Sequence, residues 1–369
     1  MSAPARNDGP GHLDALTGIR GIAAWAVVFY HIRLSLTGLF PPEAIAVMAR
    51  GYLAVDLFFI LSGFVIWYNY AERLRTGGGA ETRLFLWRRI ARIWPLHAAI
   101  LLAMAGFVAV LVLTGRSTAG YPLGELPLHL LLVQNWGFTP ALSWNHPAWS
   151  ISTELAAYLV FPRIVLAADW QRASTALLVG IALVLLAAIQ GLFAAHGYTT
   201  LGYGIERLGL WRCLAAFMLG NIMCLLWQRW RGAASGGLLA GLACLGVIGA
   251  GLGLGLPETA FAPAAFLTGL LALALGRGWL AGLLASRPLV YLGEISYSTY
   301  LAHFFLFILW KIAFVDASLQ LGWAGLAGFL ALVLAASVAL YHGLEKPAQR
   351  WLNAHPPRWA MRPVAVAAE

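Results

Sequence analysis

Arg20 and His31 lie in one apolar run with ten residues between them. Eleven steps of an α-helix make about three whole turns, so the two side chains share a face, roughly 16 Å apart along the axis. An ionisable group inside a membrane span costs about 2.5–3.5 kcal/mol on insertion scales, which makes it a functional candidate, with a structural ion pair as the alternative. An imidazole exchanges a proton near neutral pH, so His31 is a candidate general base. A lone intramembrane histidine can also be a hydrogen-bonded packing residue; the arginine on its face favours function.

Four other clusters stand out. Asp56 and Ser62 are six steps apart, about 240° around a helix, and cannot serve one point. Pairing of Asp56 with an arginine or histidine is the preferred reading, and Ser62-Gly63 suits close helix packing. Trp149, Ser150 and Glu154 open a later run, with Ser150 and Glu154 one turn apart on one face. Glu154 would orient His31, bind an acceptor or pair with an arginine. Ser296, Tyr300 and His303 repeat at i, i+4 and i+7 with Tyr297 beside them, and a polar stripe in an apolar helix faces a bundle interior or a cavity. Arg88, Arg89 and Arg92 make a basic face just before Pro95. The planar guanidinium binds phosphate through two bonds at once, so this face is a candidate grip on a nucleotide-bearing donor. The alternative is a positive anchor at the inner membrane surface.

The elements that must carry these groups follow from composition. The chain has 369 residues, is 61% hydrophobic and 11% charged, and has a mean hydropathy of +0.77. Soluble proteins are about half apolar and a quarter charged. Crossing the hydrocarbon core takes roughly 20 apolar residues. About ten runs qualify, at 15–37, 51–70, 94–114, 147–167, 174–194, 209–228, 235–255, 260–276, 289–311 and 320–343. The expected fold is an all-α polytopic transmembrane bundle of about ten spans, with short tails at 1–12 and 353–369 around a membrane domain at 13–352. Residues 1–12 are polar and the next run lacks a small-residue cleavage site, so it reads as the first span. The segment 115–146 carries Pro122, Pro127, Pro140 and an amphipathic stretch; it reads as a lid or re-entrant piece, or equally as a connecting loop.

The net charge of +9 fits loops beside anionic lipid rather than nucleic-acid binding, because the basic residues sit between apolar runs. The arginines after the second run place that loop in the cytoplasm, and ten spans then put both termini inside. Arg163, Arg172, Arg229, Arg231, Arg277, Arg287, Lys346, Arg350, Arg358 and Arg362 fall on the same side. Arg33, Arg50, Arg116, Arg207, Arg212 and Lys311 fall outside. Cys213, Cys224 and Cys244 lack metal-ligand spacing and read as small apolar fillers.

Several of these residues occur in an ordered set of motifs: residues 13–21, the Arg20/His31 pair, 51–63, Arg89 with Arg92, 149–154, 296–303 and Glu345-Lys346-Pro347. In this the chain resembles the acyltransferase family 3 integral-membrane acyltransferases, which include bacterial O-antigen and exopolysaccharide O-acetyltransferases. The resemblance spans nearly the whole chain. It implies that Arg20 and His31 are essential, that His31 is the catalytic base, and that Arg89 and Arg92 act on acyl-coenzyme A at the cytoplasmic side. Ala15 and Thr17 depart from the glycine and arginine usual in the first motif, and residues 155–158 are less polar than in many relatives.

The expected activity is transfer of an acyl group, acetyl by resemblance, from acyl-coenzyme A to a hydroxyl of a glycan or lipid-linked saccharide in a bacterial inner membrane. His31, Arg20, Glu154 and Asp56 would form the catalytic group, with Asp56 or Glu154 orienting His31. Arg88, Arg89 and Arg92 would hold the donor, and Trp149, Ser150, Tyr297, Tyr300 and His303 the acceptor. Acyl-coenzyme A is a co-substrate; no bound cofactor, metal or nucleic acid is expected. Intramembrane charges suit a transporter or flippase of a lipid-linked saccharide as well, and that is the alternative.

Overall fold

The computed structural model describes residues 12–276 and 278–361. The polar N-terminus at 1–11, the chain end at 362–369 with Arg362, and Arg277 lie outside the described residues. Every regular element among the described residues is a helix. In chain order they are α1 (His12–Ile32), α2 (Pro42–Met48), α3 (Ala54–Leu113), α4 (Leu126–Leu130), α5 (Ala148–Ala167), α6 (Thr175–Ala195) and α7 (Ile205–Trp230). There follow α8 (Gly236–Gly253), α9 (Glu258–Leu275), α10 (Trp279–Leu284), α11 (Arg287–Glu294), α12 (Ser296–Phe314), α13 (Trp323–Leu340) and α14 (Lys346–Ala354). Only helices or closed barrels satisfy every backbone group in hydrocarbon, which is why long apolar runs take this form.

Nine helical stretches among the described residues are long and apolar enough to cross a membrane. One of them, Pro42–Leu113, contains two of the ten runs read from the sequence. Within it α3 has 60 residues, about 90 Å if straight. It is not straight: Gly78 takes φ 54°, ψ −141°, and beyond it the chain doubles back. Arg89 Nη2 donates to Tyr70 Oη at 2.9 Å and Arg73 pairs with Glu81 at 2.7 Å, contacts that a straight helix would forbid for the first pair. Two other expectations shift. The run at 289–311 is broken at Ile295, so Glu294 ends α11 and the polar stripe begins α12. The run at 320–343 does not end the helix; a π turn at Tyr341–Glu345 carries it on into α14.

Packing places α7 at the centre, with 72% of its apolar window buried against 11% for α8, which faces outward. α7 crosses the first arm of α3 where Gly63 meets Phe217 and Gly220 meets Ile60. A Cβ on either glycine would lie 2.0 Å from the opposing carbonyl oxygen, so the two backbones touch. The first motif works in the same way. A Cβ on Gly293 of α11 would lie 1.8 Å from the Thr17 carbonyl oxygen of α1, and Gly21 faces Gly293 in return. Small residues that admit close backbone approach are the means by which helices associate in lipid, where no hydrophobic force draws them together. Arg20 meets Ser296 and His31 meets His303, so α1 and α12 run in the same direction side by side.

Gly220→Leu should therefore cost about 3 kcal/mol or more, above the usual range for overpacking, because the obstacle is backbone rather than a movable side chain. Thermal unfolding of the purified protein in detergent reads this, with Gly246→Leu, which meets open space, as the neutral control.

Candidate active site

The doubled α3, together with α1, α5 and α12, encloses a cavity of about 210 Å³. Arg20 reaches it from α1, Ser62 from the first arm of α3, and Arg89 and Arg92 from the second arm. Ser150, Glu154 and Tyr158 reach it from successive turns of α5, and Ser296, Tyr297 and Tyr300 from α12. The stripes read from the sequence on α5 and α12 thus face each other. Phe58, Phe59 and Val55 form an apolar wall.

The three arginines on the cavity differ in how they are held. Arg92 is ion-paired with Glu345, whose second oxygen accepts from Ser298 Oγ at 2.6 Å, and its guanidinium lies 5.2 Å from the Tyr297 ring centre. Arg89 is held by Tyr70 and lies 5.0 Å from that ring's centre; its Nε is buried without a partner among the described residues. Arg20 has one long contact, to Ser296 Oγ at 3.4 Å, and among the described residues makes no ion pair. It feels the charges of Arg92, Glu154 and Glu345, yet most of its five N–H donors are left for a ligand. Glu154 accepts a hydrogen bond from Ser62 Oγ.

The structure separates other members of the expected set. Arg88 does not line the cavity. On this helix the pair three apart, Arg89 and Arg92, faces inward, and the pair four apart does not. Trp149 lies on another side of α5, 5.8 Å from Phe59 and 5.5 Å beneath the Arg212 guanidinium. Asp56 does not orient His31. Both its oxygens are taken by Arg212, with Nε to Oδ1 at 2.7 Å and Nη2 to Oδ2 at 2.6 Å, while Arg212 Nη1 donates to the Leu201 carbonyl at 2.7 Å. Arg212 is 2% exposed, so it is a bundle residue and not one of the outer loop charges. Glu154 likewise contacts Ser62 rather than His31.

His31 itself is not part of the cavity lining. It lies beyond Tyr300, which lines the cavity, bonds Ser150 at 2.8 Å, and has its ring 6.2 Å from that of His303. His303, one turn further along α12, is the partner of His31: Nε2 of His303 is 3.1 Å from Nδ1 of His31. Two backbone carbonyls assign the tautomers. His303 Nδ1 lies 3.1 Å from the Thr299 oxygen and His31 Nδ1 lies 3.0 Å from the Val27 oxygen. A carbonyl only accepts, so both Nδ1 atoms carry the proton. The His31 Nδ1–H is then shared between Val27 and the bare Nε2 of His303, and Nε2 of His31 keeps a free lone pair. His31 is half-buried while His303 is fully buried, so the free nitrogen belongs to the more accessible ring.

The segment from 114 to 147 is exposed at 114–117 and at its turns, while part of it is polar and buried. It folds into the bundle, with His129, Gln134, Asn135, Ser143 and Asn145 all buried. His97 Nε2 donates to the His129 carbonyl at 2.8 Å, and Asn145 Nδ2 donates to the Leu301 carbonyl of α12 at 3.0 Å. Burial, and next the neighbouring His97 and His146, push the His129 imidazole down to about 4, and burial lowers His146 too, so both are neutral at pH 7. The sequence offers this segment as a lid or re-entrant piece, or equally as a connecting loop, without singling out these residues.

The comparisons with known proteins agree with the chemistry of such a chamber. The family model described as Acyltransferase domain, that of acyltransferase family 3, matches residues 13–342, and the chain belongs to this family. Acyltransferase MdmB of Streptomyces mycarofaciens is 31% identical over 96% of this chain and 95% of its own length. Protein 2 in the picA locus of Rhizobium radiobacter is 36% identical over 42% of this chain and 83% of its own. A Staphylococcus aureus protein named as a candidate O-acetyltransferase is 26% identical over 42% of this chain and 25% of its own. No solved structure matches. The chain is a multi-pass membrane enzyme that transfers acyl groups, and the transporter alternative gives way to it.

Arg212→Ala, which strands Asp56 in the bundle, should destabilise the protein by about 3–5 kcal/mol, whereas Asp56→Leu combined with Arg212→Met should recover most of that loss. Thermal unfolding in detergent distinguishes the two. An Asp56→Ala protein of undiminished stability that had lost activity would return Asp56 to the catalytic group.

Proposed function

We propose that this enzyme moves an acyl group, acetyl in the simplest case, from acyl-coenzyme A to a hydroxyl of a glycan or lipid-linked saccharide in a bacterial cytoplasmic membrane. His31 is the general base. The observation that carries this reading is the imidazole pair: His303 and the Val27 carbonyl hold the His31 proton on Nδ1 and leave Nε2 free.

The donor enters from the arginine-rich inner face. A cavity of about 210 Å³ is smaller than the roughly 300–1,000 Å³ of pockets that enclose a drug-sized ligand, so it takes the acyl thioester and part of its arm, with the nucleotide outside. Arg89, with its unpartnered Nε, is the nearer candidate for the donor's anionic portion; Arg92 is already matched by Glu345. The donor's arm extends past Arg20, which has no ion pair among the described residues and donates to it on the way; three helical turns separate Arg20 from His31, so it acts on the arm and not at the reacting carbon. The thioester reaches His31 by way of Tyr300.

Nε2 of His31 removes the proton of the acceptor hydroxyl as its oxygen attacks the carbonyl carbon. The imidazolium so formed is stabilised through Nδ1–H by the bare Nε2 of His303. Collapse of the tetrahedral intermediate breaks the C–S bond, and the coenzyme A thiolate recovers the proton from His31 Nε2. The products are the ester and free coenzyme A. The role of orienting partner, sought in Asp56 or Glu154, thus passes to His303. Exclusion of water by the enclosing helices favours transfer over hydrolysis.

His31→Ala should reduce transfer of labelled acetyl from acetyl-coenzyme A in membrane vesicles by about 10²–10⁴-fold, the usual value of a general base, without loss of inserted protein. Arg20→Ala should raise the KM for acetyl-coenzyme A by about 10–100-fold, the worth of hydrogen bonds from a charged group. A fully active His31→Ala protein would exclude the base assignment.

A further inference from the structure

We propose that the segment from 114 to 147 forms a hydroxyl-binding subsite beside His31, in which the side-chain oxygens of Gln134, Asn135 and Asn145 are the acceptors offered to one hydroxyl of the acceptor substrate. The proposal rests on the acyltransferase reading above and names the residues that hold its second substrate.

A second, smaller cavity of about 10 Å³ is lined by these three amides together with His129, Ser143, His146 and Trp149, among others. The amide orientations follow from their partners. Gln134 Nε2 donates to the Ala148 carbonyl at 3.2 Å, Asn135 Nδ2 to the Ile205 carbonyl at 3.0 Å, and Asn145 Nδ2 to the Leu301 carbonyl at 3.0 Å. Each partner only accepts, so in each amide the NH₂ is turned to backbone and the oxygen faces away from it. Those three oxygens have no partner among the described residues, and the residues are between 2% and 4% exposed. His129 falls in with them. Ser143 Oγ donates to the Glu125 carboxylate at 2.5 Å, so it accepts from His129 Nε2–H at 2.9 Å. His129 Nδ1 is then a bare acceptor, also without a partner.

Four buried acceptors lining one cavity are costly unless a ligand brings donors. A hydroxyl brings a donor and answers one of them; an acyl thioester, which has only acceptors at its reacting end, answers none. The cavity lies within one layer of side chains from the base. His146 stacks on Phe304 at 4.7 Å between ring centres, and Phe304 meets the His31 ring edge-on at 5.4 Å. A volume of about 10 Å³ is near the space of one water molecule, so it receives a single hydroxyl-bearing arm while another hydroxyl of the same acceptor faces Nε2 of His31.

The test uses the full chain in lipid nanodiscs, with methyl α-D-glucopyranoside, methyl α-D-galactopyranoside and methyl α-D-mannopyranoside as probes. Two variants leave the His31 pair intact: Ala141→Trp, at an exposed lining position where a large ring obstructs the mouth, and Gln134→Met, which removes one acceptor at nearly constant shape. At millimolar glycoside, at least one probe should raise the melting temperature of the unaltered protein and not that of either variant. Stabilisation by solvent exclusion would be common to all three proteins. Where the probe is acetylated, both variants should raise its KM at least tenfold and leave the KM for acetyl-coenzyme A unchanged. No differential shift with any probe, or an unchanged glycoside KM in both variants, overturns the subsite. Loss of the parent reading looks different: glycoside binding would persist with no transfer from acetyl-coenzyme A.

Discussion

A charge in hydrocarbon must find a partner, and in this protein that requirement sorts the buried ionisable groups into two kinds. Asp56 with Arg212 and Arg92 with Glu345 are matched pairs that join distant helices. Each is hydrogen-bonded further, Arg212 to Leu201 and Glu345 to Ser298, so little bonding capacity remains for a substrate. Arg20 and His31 are of the other kind. One has a single long contact and the other a ring nitrogen with no assigned partner, and both sit on the face of α1 that meets α12. The matched pairs hold the bundle so that the unmatched groups can stay unmatched.

The close glycine crossings serve the same end. Contact between α3 and α7 at Gly63 and Gly220, and between α1 and α11 at Gly21 and Gly293, draws the backbones together. The space gained elsewhere is the polar cavity between α1, α3, α5 and α12. The glycines in the first motif are thus a packing device next to a reactive arginine. Gly18 follows the same logic, since a Cβ there would strike the Leu284 carbonyl at 1.9 Å.

What was legible in the sequence was whatever depends on neighbours along the chain. A run of about 20 apolar residues declares a span by itself, and the stripes Ser150/Glu154 and Ser296/Tyr300 declare a face through helical period alone. Both stripes line the cavity. The partners were not legible, because Asp56 and Arg212 are 156 residues apart and Arg92 and Glu345 are 253 apart, and no local period connects them. Arg212 was therefore read as an outer charge, and Glu345 carried no partner. The role of Gly78 in folding two spans into one continuous helical run likewise required the dihedral angles.

The segment from 114 to 147 shows most clearly why local reading stops. Its prolines, asparagines and serines have the composition of a surface loop, and on an isolated chain they would be one. Buried against α5 and α12, the same amides become fixed acceptors, because backbone carbonyls at Ala148, Ile205 and Leu301 claim their NH₂ groups. The property that matters, an oxygen with an assigned direction and no donor, exists only once those three carbonyls are in place. Polar residues that fold inward in a membrane protein carry information about their surroundings, and here they line a cavity one layer of side chains from His31.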